Sequence, residues 1–188
     1  MKKGLTLFLL LLVTFILAYE GVAAVPNIPD TGKDSGTSGS KLPPEDDHPI
    51  RLTIPSIGLD LPIEPVGVNV KGEMDVPNGR TSDVGWYKNG TVPGEDGSAV
   101  LAAHVYAAFE DLRYVKPGSE IYITRSDGEV LKFVVEESKI AWLKDVSTYF
   151  LFERDDRPRL NLITCAGTFS RKLDTYTKRL IVYAVLSS

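Results

Sequence analysis

From residue 50 onward the apolar positions fall into short runs with β-type alternation or unbroken apolar character: Arg51-Leu52-Thr53-Ile54, residues 99–102, 120–124, 130–135, 160–165 and 180–186. Turn residues punctuate them. Gly58, Asn78-Gly79, Asn89-Gly90, Pro93-Gly94, Pro117-Gly118 and Asp127-Gly128 stand between the runs, and the last pair is flanked closely enough to predict a hairpin. Helical spacing is scarce: Phe109, Leu112 and Val115 recur every third residue, predicting two or three turns at most over residues 106–115, and residues 145–152 admit another. Many short strands with regular turns predict a mainly β single domain, barrel or sandwich. No internal repeat of useful length interrupts that pattern.

Upstream the pattern changes twice. Lys2 and Lys3 precede residues 4–19, an uncharged apolar stretch; Glu20 breaks it, and residues 21–25 are apolar again. At about 1.5 Å per residue the first stretch spans about 24 Å, short of the roughly 30 Å hydrocarbon core. Val22-Ala23-Ala24 offers small residues for a signal peptidase, whereas the length of the apolar run favours an uncleaved anchor. Residues 1–25 are therefore expected to be a signal anchor or a signal peptide. In either case the two lysines keep the N-terminus inside and send the bulk of the chain outside, as a single-pass cell-membrane protein if the segment is retained. Residues 26–49, rich in Pro, Gly, Ser and charge, cannot recover the entropy of ordering and are expected to be a tether that includes His48. Residues 50–188 remain, enough for one core.

A net charge of −4 with interspersed signs provides no basic stripe, so nucleic acid is not an expected partner. One cysteine excludes an intrachain disulfide and any multi-cysteine zinc site. Metal binding by His104 and Cys165 is not indicated, because neither has spaced companions. Glu153, Asp155 and Asp156 offer oxygen ligands for calcium, although a charged loop is usually just solvated. No cofactor is expected.

The single thiol, Cys165, ends the apolar run Leu162-Ile163-Thr164 where a strand meets a loop. With an ordinary pKa near 8.5 a thiol is only about 3% thiolate at pH 7, so a nucleophilic role needs a base or cation nearby. With His48 assigned to the tether, His104 is the imidazole left to the domain, and it too follows a small apolar strand, residues 98–103. Two strand ends can meet at one rim of a barrel; a core histidine bonded to a backbone carbonyl is the rival reading. Arg179, at the start of the last apolar strand, is a permanent cation with several donors for an oxyanion, or else a surface charge. Thr164 is either a packed strand residue or a contributor to the oxyanion site. Asp111 and Asp174 are possible orienting carboxylates for His104, with nothing to single out either.

At these residues the chain resembles the sortases, cysteine transpeptidases of Gram-positive cell surfaces. The likeness lies in Leu162-Ile163-Thr164-Cys165, in Leu101-Ala102-Ala103-His104 upstream, and in Lys178-Arg179-Leu180-Ile181-Val182 downstream. The order His, Cys, Arg differs from papain-like and transglutaminase-like enzymes, which place the cysteine first. Within the family the chain is most similar to class F, through Arg51-Leu52-Thr53-Ile54-Pro55-Ser56-Ile57-Gly58, Val84-Gly85-Trp86-Tyr87 and Thr164-Cys165-Ala166-Gly167. Ala166 replaces the first glycine of that class's Thr-Cys-Gly-Gly signature; classes A and D also carry an arginine entering the last strand and stay open.

The resemblance implies an eight-stranded closed β-barrel with one or two short helices, and a Leu-Pro-x-Thr-Gly (LPxTG) type sorting signal cleaved between Thr and Gly. Cys165 would be the nucleophile, His104 the general acid and base, and Arg179 the oxyanion stabiliser, asked for roughly 3 to 4 kcal/mol. The partners it implies are surface-protein substrates and an acceptor amine such as a peptidoglycan precursor or a pilin lysine. The loops 141–158 and 167–178 would frame the peptide groove. A membrane-anchored, non-catalytic β-barrel binding module with Cys165 as a buried structural residue is the alternative from another class.

Overall fold

The computed structural model describes residues 47–70, 72–77, 83–152 and 156–187. The anchor, nearly all of the tether, the Asn78-Gly79 turn, and Glu153 and Asp155 lie outside the described residues; Asp156 is exposed. No helix among the described residues is long and apolar enough to cross a membrane.

Eight strands form a closed barrel: β1 (Pro49–Ile54), β2 (Leu59–Val66), β3 (Val84–Tyr87), β4 (Gly97–Ala102), β5 (Glu120–Arg125), β6 (Val130–Trp142), β7 (Pro158–Ser170) and β8 (Thr175–Leu186). Around the barrel the order is β1-β2-β3-β4-β7-β8-β6-β5. The pairs β2–β3 and β4–β7 are parallel and the others antiparallel. Closure removes every free sheet edge and folds the alternating side chains into one core.

The six apolar runs lie in β1, β4, β5, β6, β7 and β8. β2 escapes the sequence pattern because Pro62 and Pro65 interrupt it and proline cannot donate to a ladder; burial of Leu59, Ile63 and Val66 in the closed barrel holds it in place nonetheless. β3 is four residues long and contains Gly85, too short to stand out. β6, β7 and β8 run beyond the predicted apolar stretches into polar sequence. Their outer portions pair with one another rather than facing the core, so hydrophobic pattern does not mark them.

The region 106–115 is a series of turns ending in a single 3-10 turn, Leu112–Tyr114, instead of the helix its spacing predicts. The reason lies in the period itself. Three-residue spacing matches turns closed by three-residue hydrogen bonds, as in Glu110 N to Ala107 O, Leu112 N to Phe109 O and Val115 N to Leu112 O. This places Phe109, Leu112 and Val115 in the core. The second predicted helix is present as a 3-10 turn, Leu143–Asp145, and a short helix α1, Thr148–Leu151.

His48 belongs to the folded unit rather than to a tether. Its carbonyl accepts from the Ser126 N–H (2.9 Å), its own N–H donates to Ser126 Oγ (3.3 Å), and Asp47 pairs with Arg125 at 2.8 Å.

Candidate active site

Alternation along three neighbouring strands decides which side chains share a surface. On β7, Leu160, Leu162 and Thr164 are buried, with the two leucines in the core; on β8, Leu180, Val182 and Ala184 point in; next to them β4 and its extension turn Ala99, Leu101 and Ala103 inward. The intervening residues, including Cys165 and Arg179, therefore lie on the outer face. Cys165 and Arg179 are direct antiparallel partners, which sets their Cα atoms about 5 Å apart. The parallel register of β4 and β7 pairs Ala102 with Ile163 and continues past the strand end. There the Ala103 N–H donates to the Ile163 carbonyl (3.4 Å), and the Thr164 hydroxyl donates to the Ala103 carbonyl (2.7 Å) across a sequence separation of 61. His104 follows Ala103 and Cys165 follows Thr164, so this contact brings the two next residues into the same region. Cys165 and Arg179 thus sit side by side on the outer face of β7 and β8, and His104 lies just beyond the end of neighbouring β4.

His104 is held from several sides. Its Nε2 lies 3.2 Å from the Pro77 carbonyl, which only accepts, so Nε2 carries a proton in this geometry and Nδ1 is left as the basic nitrogen of the neutral ring. Tyr106 stacks on the ring, centroids 4.9 Å apart. The backbone carbonyl of His104 accepts from Ala107 N–H (3.2 Å) and Phe109 N–H (3.1 Å), so the buried Phe109 anchors the turn that follows. Pro77 reaches His104 because Gly85, opposite Ala102 on β3, has no side chain: a Cβ there would stand 2.9 Å from Pro77 Cδ.

Cys165 is partly exposed and unpaired in any disulfide, as a nucleophile must be and a core thiol is not. Thr164 is 3% exposed, and its hydroxyl is committed to Ala103 inside the barrel wall, a strand-holding role rather than one at the thiol's outer face. Arg179 lies inside β8 rather than at its start. Its Nη1 donates to the carbonyls of Tyr176 and Lys178, each at 3.0 Å, and its Nη2 to Thr175 Oγ1 at 3.1 Å.

Neither Asp111 nor Asp174 serves His104. Asp111 is exposed and its ion-pair partner is Arg113 at 3.9 Å, whereas Asp174 occupies the β7–β8 turn at φ 51°. The partner that meets the His104 ring is the backbone carbonyl of Pro77. The stretch 167–178 is mostly paired strand, leaving residues 171–174 as its turn. The crossover from β6 to β7 is docked by Asn161 Nδ2, which donates to the Leu151 carbonyl of α1 at 2.8 Å.

The model of the sortase domain matches residues 52–187. This chain belongs to the sortase family. Solved structures to which this sortase is similar include sortase C from Clostridium perfringens SM101, at 26% identity over 76% of this chain and 71% of that one (TM-score 0.54). Sortase A from Corynebacterium diphtheriae matches at 25% identity over 76% of this chain and 62% of that one (TM-score 0.57). A Clostridium perfringens sortase D5 transpeptidase, 22% identical over 76% of this chain and 80% of that one (TM-score 0.58), adds likeness of fold alone. No match is found among curated proteins. The family, the eight-stranded barrel and the partly exposed thiol make the chain a sortase cysteine transpeptidase, and the non-catalytic binding module is set aside.

Pro77, Gly85, Tyr106 and Thr175 are the site residues that sequence reasoning missed. Only Thr175 left a readable signal: Thr175, Thr177 and Arg179 alternate along one face of a strand. Pro77 and Gly85 meet His104 through tertiary packing that no local pattern encodes.

Proposed function

We propose that this sortase is a class F type enzyme that cleaves a Leu-Pro-x-Thr-Gly sorting signal between Thr and Gly and passes the acyl group to an amine. The observation that carries the reading is the pairing of Cys165 with Arg179 on the outer face of β7 and β8, with His104 just past the end of neighbouring β4. Cys165 Sγ attacks the Thr carbonyl carbon, and the guanidinium of Arg179 stabilises the negative charge that develops on the oxygen. The C–N bond to Gly breaks as the departing amine takes a proton from His104, leaving a thioester. An acceptor amine then attacks the thioester, its proton passes to His104, and the thiol is released as the new amide forms. Water in place of the amine gives hydrolysis.

The class reading is supported by Thr164-Cys165-Ala166-Gly167 and Val84-Gly85-Trp86-Tyr87. Residues 1–25 serve as a membrane anchor, with the segment up to about residue 46 spacing an extracytoplasmic catalytic domain from the lipid. The acceptor is a surface amine such as a peptidoglycan precursor or a pilin lysine. The β6–β7 crossover, docked on Asn161, and the β7–β8 hairpin wall the peptide groove.

Incubating the domain with fluorogenic peptides varied at the x position, and weighing the protein, tests the reading. A thioacyl adduct on the wild-type protein, absent from Cys165→Ala while peptide binding persists, is the expected result. Wild-type turnover by Cys165→Ala would overturn it.

A further inference from the structure

Arg179 commits three of its five guanidinium N–H donors to its own strand: two from Nη1 to the Tyr176 and Lys178 carbonyls, and one from Nη2 to Thr175 Oγ1. The two carbonyl bonds meet at one nitrogen. Both hydrogens of that nitrogen lie in the guanidinium plane, so these bonds hold one end of the planar group; the third bond, on Nη2, is the one a side chain supplies, and it anchors a second nitrogen. With that bond in place, the donors without a partner among the described residues are Nε–H and one Nη2 hydrogen. These belong to the side edge of the fork, where two N–H bonds run parallel. Arg51 in this same chain grips a carboxylate by that edge, with Nε to Asp60 Oδ1 at 2.6 Å and Nη2 to Asp60 Oδ2 at 2.7 Å.

We infer that Thr175 is a positioning residue that anchors the second nitrogen of the Arg179 guanidinium and so holds its two-donor side edge toward the acylation groove. The hydroxyl is well placed for this. Thr175 is the first residue of β8, directly after the turn closed by Asp174 at positive φ, and lies on the same strand face as Arg179. Thr177, between them on that face, is engaged elsewhere, its hydroxyl accepting the Thr168 N–H at 3.3 Å. The hydroxyl bond thus ties the guanidinium to the first residue of β8, beside the β7–β8 turn. This inference rests on the oxyanion role proposed for Arg179.

The test compares Thr175→Val, which keeps the β-branched shape and removes the acceptor, with Thr175→Ser, which keeps the acceptor, each with Arg179 present and in an Arg179→Ala background. Single-turnover acylation by a fluorogenic Leu-Pro-x-Thr-Gly peptide is measured alongside the nitrogen-15 side-chain spectrum of Arg179. Thr175→Val is expected to slow acylation about tenfold with KM little changed, the scale of one hydrogen bond to a charged group, and Thr175→Ser to restore most of the rate. In the Arg179→Ala background Thr175→Val should cause no further loss. The separate Nη2 proton signals of the wild type and of Thr175→Ser should merge in Thr175→Val as that nitrogen loses its anchor and rotates faster about its C–N bond. A Thr175→Val loss that persists undiminished without Arg179, a wild-type rate in Thr175→Val, or a faster one, would overturn the inference. A wild type that forms no thioacyl adduct with any peptide instead sinks the proposed function, and the guanidinium signals then still decide whether Thr175 anchors the group.

Discussion

Replacing Thr164 by Val removes the donor of the 2.7 Å bond to the Ala103 carbonyl while keeping the side chain's shape at a position 3% exposed. Loss of the bond and the stranding of a carbonyl away from water cost about 1 to 3 kcal/mol. The methyl that replaces the hydroxyl returns up to about 0.8 kcal/mol through apolar burial. A net loss of about 1.5 kcal/mol remains. A folded unit of about 140 residues unfolds with an entropy near 0.3 kcal/mol per degree, so Tm should fall by about 5 °C. Activity should fall further than stability. Thr164 and Ala103 immediately precede Cys165 and His104, so the lost bond lets the two site residues drift apart, and a misplacement of about 1 Å can cost on the order of a hundredfold in rate. Thermal unfolding followed by circular dichroism, with single-turnover acylation on the same samples, measures both. Thr164→Ser, which retains the hydroxyl, should keep most of the rate despite losing a buried methyl. A Thr164→Val protein as stable as wild type yet inactive would refute the reasoning, because it would mean that the hydroxyl acts on substrate rather than between strands.

Gly85→Ala forces a Cβ to 2.9 Å from Pro77 Cδ and 3.1 Å from both Val66 methyls. It should destabilise the protein by about 1 to 3 kcal/mol and slow acylation as the Pro77 carbonyl leaves His104, while an unchanged Tm in a denaturation scan would contradict it. On the surface between β1 and β2, hydrogen bonds from Arg51 and Thr53 hold the Asp60 carboxyl below the usual carboxylate range. A carboxyl depressed in the folded state stabilises it above the ordinary range and loses that contribution as pH falls through the folded value. Asp60→Asn should therefore lower Tm slightly near neutral pH and leave it level with wild type in strong acid; an equal deficit at both ends of a pH series would exclude this account.

What could be read from the chain alone was whatever local pattern encodes. Alternating apolar runs mark six of the eight strands; the scarcity of thiols and imidazoles draws attention to Cys165 and His104, and the place of Arg179 at the entry to the last apolar run draws attention to it. The motif around Cys165 carried the family likeness. Period also misled once: three-residue spacing over 106–115 fits turns as well as it fits a helix, and only burial of Phe109 and Leu112 against the barrel chooses between them. β2 stayed hidden because its prolines weaken a strand locally, while closure of the barrel stabilises it globally.

Tertiary structure alone decided the register, and with it the site. A sequence separation of 61 between Ala103 and Thr164 says nothing about adjacency until β4 and β7 pair in parallel; one step of slip would turn Cys165 inward and away from Arg179. The same holds for the partner that orients His104. Pro77 meets His104 through a gap left by Gly85 on a third strand; Thr175, by contrast, lies four residues before Arg179 on the same strand, within reach of its long side chain. Hydrophobic pattern fixes which residues leave water, since burial depends on local alternation. Which polar groups then face one another depends on strand pairing over long separations, a cooperative property of the closed barrel.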